Sequence, residues 1–80
     1  MFFTYVLKSD RDNRFYIGHT NDLADRVRRH NEGRVPATKS RLPLRLVYSK
    51  VSSTRSEAVK RERHLKSLKG NSYFHEIVGM

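Results

Sequence analysis

The chain contains no cysteine, which excludes a disulfide framework and any thiolate zinc site. That absence suits a cytoplasmic protein, and a cytoplasmic location is the expectation. No stretch approaches the ~18 consecutive apolar residues of a membrane span. The opening MFFTYVLKSD reaches Lys8 and Asp10 after only a short apolar run, so neither a secretory leader nor a membrane anchor is expected. No histidine pair has zinc-ligand spacing, and there is no P-loop and no glycine-rich dinucleotide turn. No Ser-His-Asp grouping stands out, and no internal repeat or low-complexity segment is visible. Acidic residues are also scarce: 8 Asp and Glu stand against 17 Lys and Arg, a formal charge of +9.

So strong a positive field on so small a body draws polyanions, with nucleic acid the first candidate. Eighty residues make a single domain, residues 1–80, whose core is near the lower limit for independent folding. The apolar share of 36% and charged share of 31% belong to a folded chain with a modest core rather than a disordered one.

Phe2 to Leu7, rich in aromatic and β-branched residues, reads as a strand with apolar side chains on both faces. Ser9 to Asn13 supplies turn residues, and Arg14 to Gly18 returns as a second strand, giving an antiparallel hairpin. Thr20 or Asn21 caps a helix whose buried stripe is Leu23 and Val27, with Asp22 in the first turn and Gly33 at the end. Arg34 to Pro43 is expected as an exposed loop lying on a ligand. Leu44 to Val51 makes a third strand, placed at the centre of the sheet. Thr54 and Glu57 form a capping box for a helix running to about Lys69, with Gly70 as its stop. Asn71 or Ser72 caps a last short helix. The order β-β-α-β-α-α gives an α+β domain, a three-stranded antiparallel sheet with helices packed on it.

Several polar residues fall where core residues would serve better. Arg26 and His30 are four apart, share a helix face and can reach one target together. Glu62 lies in line with the apolar stripe of Ala58, Leu65 and Leu68, where a carboxylate is costly unless paired or bound to a metal. The structural alternatives are a Glu62–Arg26 ion pair, an Arg26–Asp22 pair and a hydrogen-bonded buried His30. Tyr5 and Tyr16 sit on the paired strands. Tyrosine, arginine, histidine and one carboxylate together suit phosphodiester cleavage: arginine for phosphoryl charge, the carboxylate for Mg²⁺, and phenolate or imidazole for water deprotonation.

These residues resemble the GIY-YIG nuclease family, in particular its small standalone members. The second half-motif is literal, Tyr16-Ile17-Gly18. The first is Phe3-Thr4-Tyr5, which keeps only the tyrosine. Tyr5 to Tyr16 is eleven positions, Tyr16 to Arg26 ten, and Arg26 to His30 four; Glu62 matches the downstream glutamate. The resemblance implies metal-dependent hydrolysis of DNA, with a role in repair or recombination. Glu62 would bind Mg²⁺ or Mn²⁺, Arg26 would contact the scissile phosphate, and Tyr5 and Tyr16 would line the site. His30 would assist as a hydrogen-bonding partner or proton carrier. Gly18 completes the motif, and Asn71 is the candidate for the family's last common asparagine. Small members of this kind are expected to lack the extra DNA-recognition domain that gives larger relatives their sequence preference. Arg34, Lys39 and Arg41 of the loop and Lys60, Arg61 and Arg63 of the second helix can hold phosphates but cannot read bases. The alternative is a nucleic-acid-binding module of the same fold that does not cleave, or cleaves only with an unidentified protein partner.

Overall fold

A computed structural model describes residues 1–79. Its elements are β1 (Phe2–Ser9), β2 (Phe15–Thr20), α1 (Leu23–Asn31), a 3₁₀ turn (Lys39–Arg41), β3 (Leu44–Ser52), α2 (Arg55–Leu68) and α3 (Ser72–Val78). The α+β order β-β-α-β-α-α is as expected. The strands form one antiparallel sheet in the order β2-β1-β3. The central strand is therefore β1, not β3. The reason is visible in the side chains: Thr4, Tyr5, Val6 and Leu7 are all buried, whereas Arg45, Leu46, Ser49, Lys50 and Val51 on β3 are exposed. Only a strand covered on both faces and paired on both edges buries four consecutive residues. Val6 pairs with Ile17 on one side and Tyr48 on the other, and the partner of the next residue, Leu7, is Leu46. β3 thus carries one extra residue at Val47, a bulge.

The two sheet faces hold separate cores. Val6, Phe15 and Ile17 pack with Leu65 of α2 and with Phe74 and Val78 of α3. Tyr5, Leu7 and Leu44 form the other cluster, against Leu23 and Val27 of α1. Helices α1 and α2 therefore cover opposite faces.

Local chemistry fixes the connections. Ser9 Oγ accepts from the backbone N–H groups of Arg11 and Asp12 in the hairpin turn, and Asn13 takes a left-handed φ of 59°. The cap of α1 is Asp22, which accepts from Asp25 N–H. Thr20 instead accepts from Asp22 N–H, so neither Thr20 nor Asn21 is the cap. Thr54 caps α2 in the expected box with Glu57. The Arg34–Pro43 segment does not simply lie outside. Its Thr38 is fully buried, and Asn31 at the end of α1 bonds both backbone groups of Leu44.

Candidate active site

Strand alternation sends Tyr5, Tyr16 and Gly18 to the α1 face. Tyr5 pairs with Gly18 across the β1–β2 ladder, and its ring passes over that glycine. A Cβ at Gly18 would lie 2.7 Å from the Tyr5 hydroxyl oxygen and 3.2 Å from Tyr16 Cε1. Glycine is needed here for close approach, not for an unusual backbone. From α1, His30 joins them: its ring lies 5.9 Å from Tyr5 and 4.9 Å from Tyr16, and the two tyrosine rings are 6.3 Å apart. Tyr5 is 1% exposed and His30 0%, whereas Tyr16 and Arg26 are half-buried. Tyr16 and Arg26 are the members of this group that a substrate can touch.

His30 bridges two buried hydroxyls, Nε2 at 3.0 Å from the Tyr5 oxygen and Nδ1 at 2.7 Å from Thr38 Oγ1. Burial, then the charge of Arg26, pushes the imidazole down to about 4, so it is neutral at pH 7. Burial and the adjacent Tyr16 push the Tyr5 phenol up, against the pull of Arg26, so Tyr5 keeps its proton. One proton arrangement satisfies every buried group. Tyr5 O–H donates to Nε2, Nδ1–H donates to Thr38 Oγ1, and Thr38 O–H points to the Val35 carbonyl at 3.5 Å. The opposite tautomer would leave the buried Tyr5 proton with no acceptor.

Glu62 belongs to the other face. Its side chain is 16% exposed and meets neither Arg26 nor a tyrosine; Oε1 lies 2.5 Å from His19 Nδ1 and Oε2 2.7 Å from Lys66 Nζ. Burial raises this carboxyl, but the hydrogen bonds from Lys66 and His19 outweigh it and hold it below its ordinary value. The Glu62–Arg26 pair weighed from sequence is absent among the described residues. The charge of Glu62 still reaches the Tyr5 phenol and adds to its upward push. The carboxylate therefore lies on the α2 face of the sheet, with His19, and the tyrosines on the α1 face.

A single ionised carboxylate suits Mg²⁺, which keeps several waters and takes one or two protein carboxylates. The donor set fits such an ion: Glu62 is held anionic by one fixed partner on β2 and by one exposed, flexible lysine. No cluster of three or more His, Cys, Asp or Glu gathers among the described residues, so Glu62 would hold the cation without a second carboxylate.

The remaining candidates divide. Arg34 pairs with Glu32, and Lys39 is exposed on the 3₁₀ turn. Arg41 is tied to Asp12 and to the Phe15 carbonyl. Arg61 donates two hydrogen bonds to the Tyr48 hydroxyl on β3, and Lys60 lines the same side of α2. These two face the opposite sheet edge from Glu62. Arg63 is exposed. Asn71 accepts from Tyr73 N–H as the cap of α3, which is the structural use its position predicts.

Sequence reasoning missed His19, Thr38, Lys66 and Arg55. Arg55 lies 3.5 Å from His19 Nε2 and stacks on Phe2. His19 was findable: period-two alternation puts it with Ile17 on the face that α2 covers. Lys66 follows Glu62 by four. Thr38 and Arg55 carry no signal in the sequence.

The family model described as the GIY-YIG catalytic domain matches residues 1–74. The chain is 43% identical over 67 residues to the UPF0213 protein YazA of Bacillus subtilis, covering 82% of this chain and 67% of that protein. It is 41% identical over 66 residues to a UPF0213 protein of Staphylococcus aureus, covering 81% and 79%. No solved structure matches.

Proposed function

The chain belongs to the GIY-YIG catalytic-domain family, a nuclease family, and from that premise we propose a divalent-metal-dependent endonuclease that hydrolyses DNA phosphodiester bonds. The observation that supports the reading is electrostatic. The α1 face groups Tyr5, Tyr16, Arg26 and His30, and the charges of both Arg26 and, from the α2 face, Glu62 reach the Tyr5 phenol.

In this reading the half-buried guanidinium of Arg26 neutralises charge developing on the phosphoryl oxygens. The Tyr16 hydroxyl, which has no hydrogen-bond partner among the described residues, orients the attacking water. Tyr5, clamped by His30, holds the Tyr16 ring in place and fixes the floor on which the phosphate sits. His30 stays neutral and buried, a hydrogen-bonding support rather than a solvent-facing base. Glu62 would hold Mg²⁺ or Mn²⁺, which would supply Lewis-acid stabilisation and a more acidic water. Phosphate-holding groups near the site are Arg26, Arg55 and Lys66. They contact backbone rather than bases, so sequence preference is weak and substrate choice follows DNA structure. A place in repair or recombination follows from that preference.

Nicking of supercoiled plasmid by purified protein with Mg²⁺, Mn²⁺ or EDTA, beside Glu62→Ala, tests the reading. Metal-dependent nicking lost in the variant supports it. Equal activity in both proteins, or DNA binding with no cleavage of plasmid or branched substrates, overturns it.

A further inference from the structure

At the hairpin end of the sheet, away from the tyrosines, lies a concave site of about 470 Å³ whose lining includes Arg14, Phe15, Arg41, Lys69 and His75. Three cations converge there. Lys69 Nζ and Arg41 Nη2 both donate to the Phe15 carbonyl, at 2.7 and 3.4 Å. Arg14 is exposed and has no ion pair among the described residues. The carboxylate in contact is Asp12, 3.2 Å from Arg41 Nε. Burial, then the charges of Arg41, Lys66 and Arg14, pushes the Lys69 ammonium down. Lys69 and Arg41 hold one backbone carbonyl, and a single carboxylate faces three cations; a bound anion would offset the excess charge.

The position of the pocket says which anion. Glu62 and Lys66 are four apart on one side of α2, and Lys69 caps the C-terminal end of that helix. That side follows the edge strand β2: Glu62 meets His19, and Lys69 meets Phe15. The four steps of β2 from His19 to Phe15 span ~13 Å. We propose that the Arg14–Arg41–Lys69 pocket binds a backbone phosphate of the nucleic-acid substrate, on the same strand as the scissile one and a short way along it. The strand then runs along the outer edge of β2. The identity of the anion rests on the nuclease reading; the existence of the pocket does not.

The test is the salt dependence of binding to a fluorescent 20-base-pair duplex in EDTA, for the wild type, Arg14→Gln, Lys69→Gln and the double variant. Arg14→Gln removes an exposed charge and leaves folding intact, which a thermal melt checks; Lys50→Gln on β3 is the control. The double variant is expected to lower the slope of log affinity against log salt by ~0.9, the value for one phosphate, and the control to leave it unchanged. A wild-type slope in both Arg14→Gln and the double variant overturns the proposal. A second arm titrates inorganic phosphate and follows the amide signals of Asn13, Phe15 and Gly70. Saturable shifts there with an unchanged duplex slope identify a site for free phosphate and also overturn it. A reduced slope in a protein that nicks no plasmid keeps the pocket and removes only the nuclease reading.

Discussion

The Tyr5 hydroxyl lies 3.0 Å from His30 Nε2, both groups fully buried, with Thr38 closing the chain on the far side of the ring. This contact joins β1 to α1 across 25 residues of sequence. It sets the protonation state of each partner: a phenol that keeps its proton and an imidazole that refuses one.

The refusal makes stability pH-dependent. The His30 pKa is about 4 in the fold against an ordinary ~6.5. Between those values the unfolded chain binds more protons than the folded one, so stability rises with pH. The contribution is fully present above about pH 6.5 and is lost as pH falls toward 4, at most about 3 kcal/mol. Urea unfolding at pH 7.5, 6, 5 and 4.5 reads this window. His30→Gln is expected to be less stable at pH 7.5 and to show a flatter profile; an unchanged profile would mean that His30 is not the titrating group.

Thr38→Val removes the acceptor of Nδ1–H from a buried site and is expected to cost ~1–3 kcal/mol, with Thr38→Ser recovering most of it. The ¹⁵N shifts of His30 report the tautomer directly. The Nδ1–H form is expected in the wild type and the serine variant, and loss or mixing of that form in the valine variant. An Nε2–H signal in the wild type would reverse the proton arrangement drawn above.

Gly18→Ala places a methyl group 2.7 Å from the Tyr5 oxygen and 2.9 Å from Cζ. A solvent-exposed tyrosine would swing aside, but Tyr5 is 1% exposed and bonded to His30. The expected cost is ~1–3 kcal/mol of overpacking, and the Tyr5–His30 hydrogen bond is expected to break. Thermal denaturation together with the ring-proton shifts of Tyr5 and His30 tests this. A variant as stable as the wild type with unmoved shifts would show room where none is described.

Much of this was legible in the sequence because it depends on local rules. The capping box at Thr54, the turn at Ser9–Asn13 and the stop at Gly70 all follow from short-range chemistry and fall where expected. What the residues could not reveal depends on which face meets which helix. The apolar run Leu46-Val47-Tyr48 suggested a central strand, yet Arg45, Ser49 and Lys50 around it fit an edge. Glu62 and Arg26 both point inward from their helices, but those helices lie on opposite faces of the sheet, so the pair cannot form. His19 takes the carboxylate instead, because the strand's alternation turns it away from Gly18. Thr38 reaches the core only because a buried histidine needs a partner, and no local pattern in RVPATKSRLP encodes that need.

In the proposed reaction Tyr16 and Glu62, on opposite faces of the sheet, serve one reacting phosphate. The measurement is the single-turnover rate of DNA cleavage at saturating protein with Mg²⁺, for the wild type, Tyr16→Phe and Glu62→Gln, with duplex affinity measured alongside. Each variant is expected to cleave at least ~100-fold more slowly while binding DNA nearly as tightly as the wild type. Cleavage at the wild-type rate by either variant would contradict that shared role.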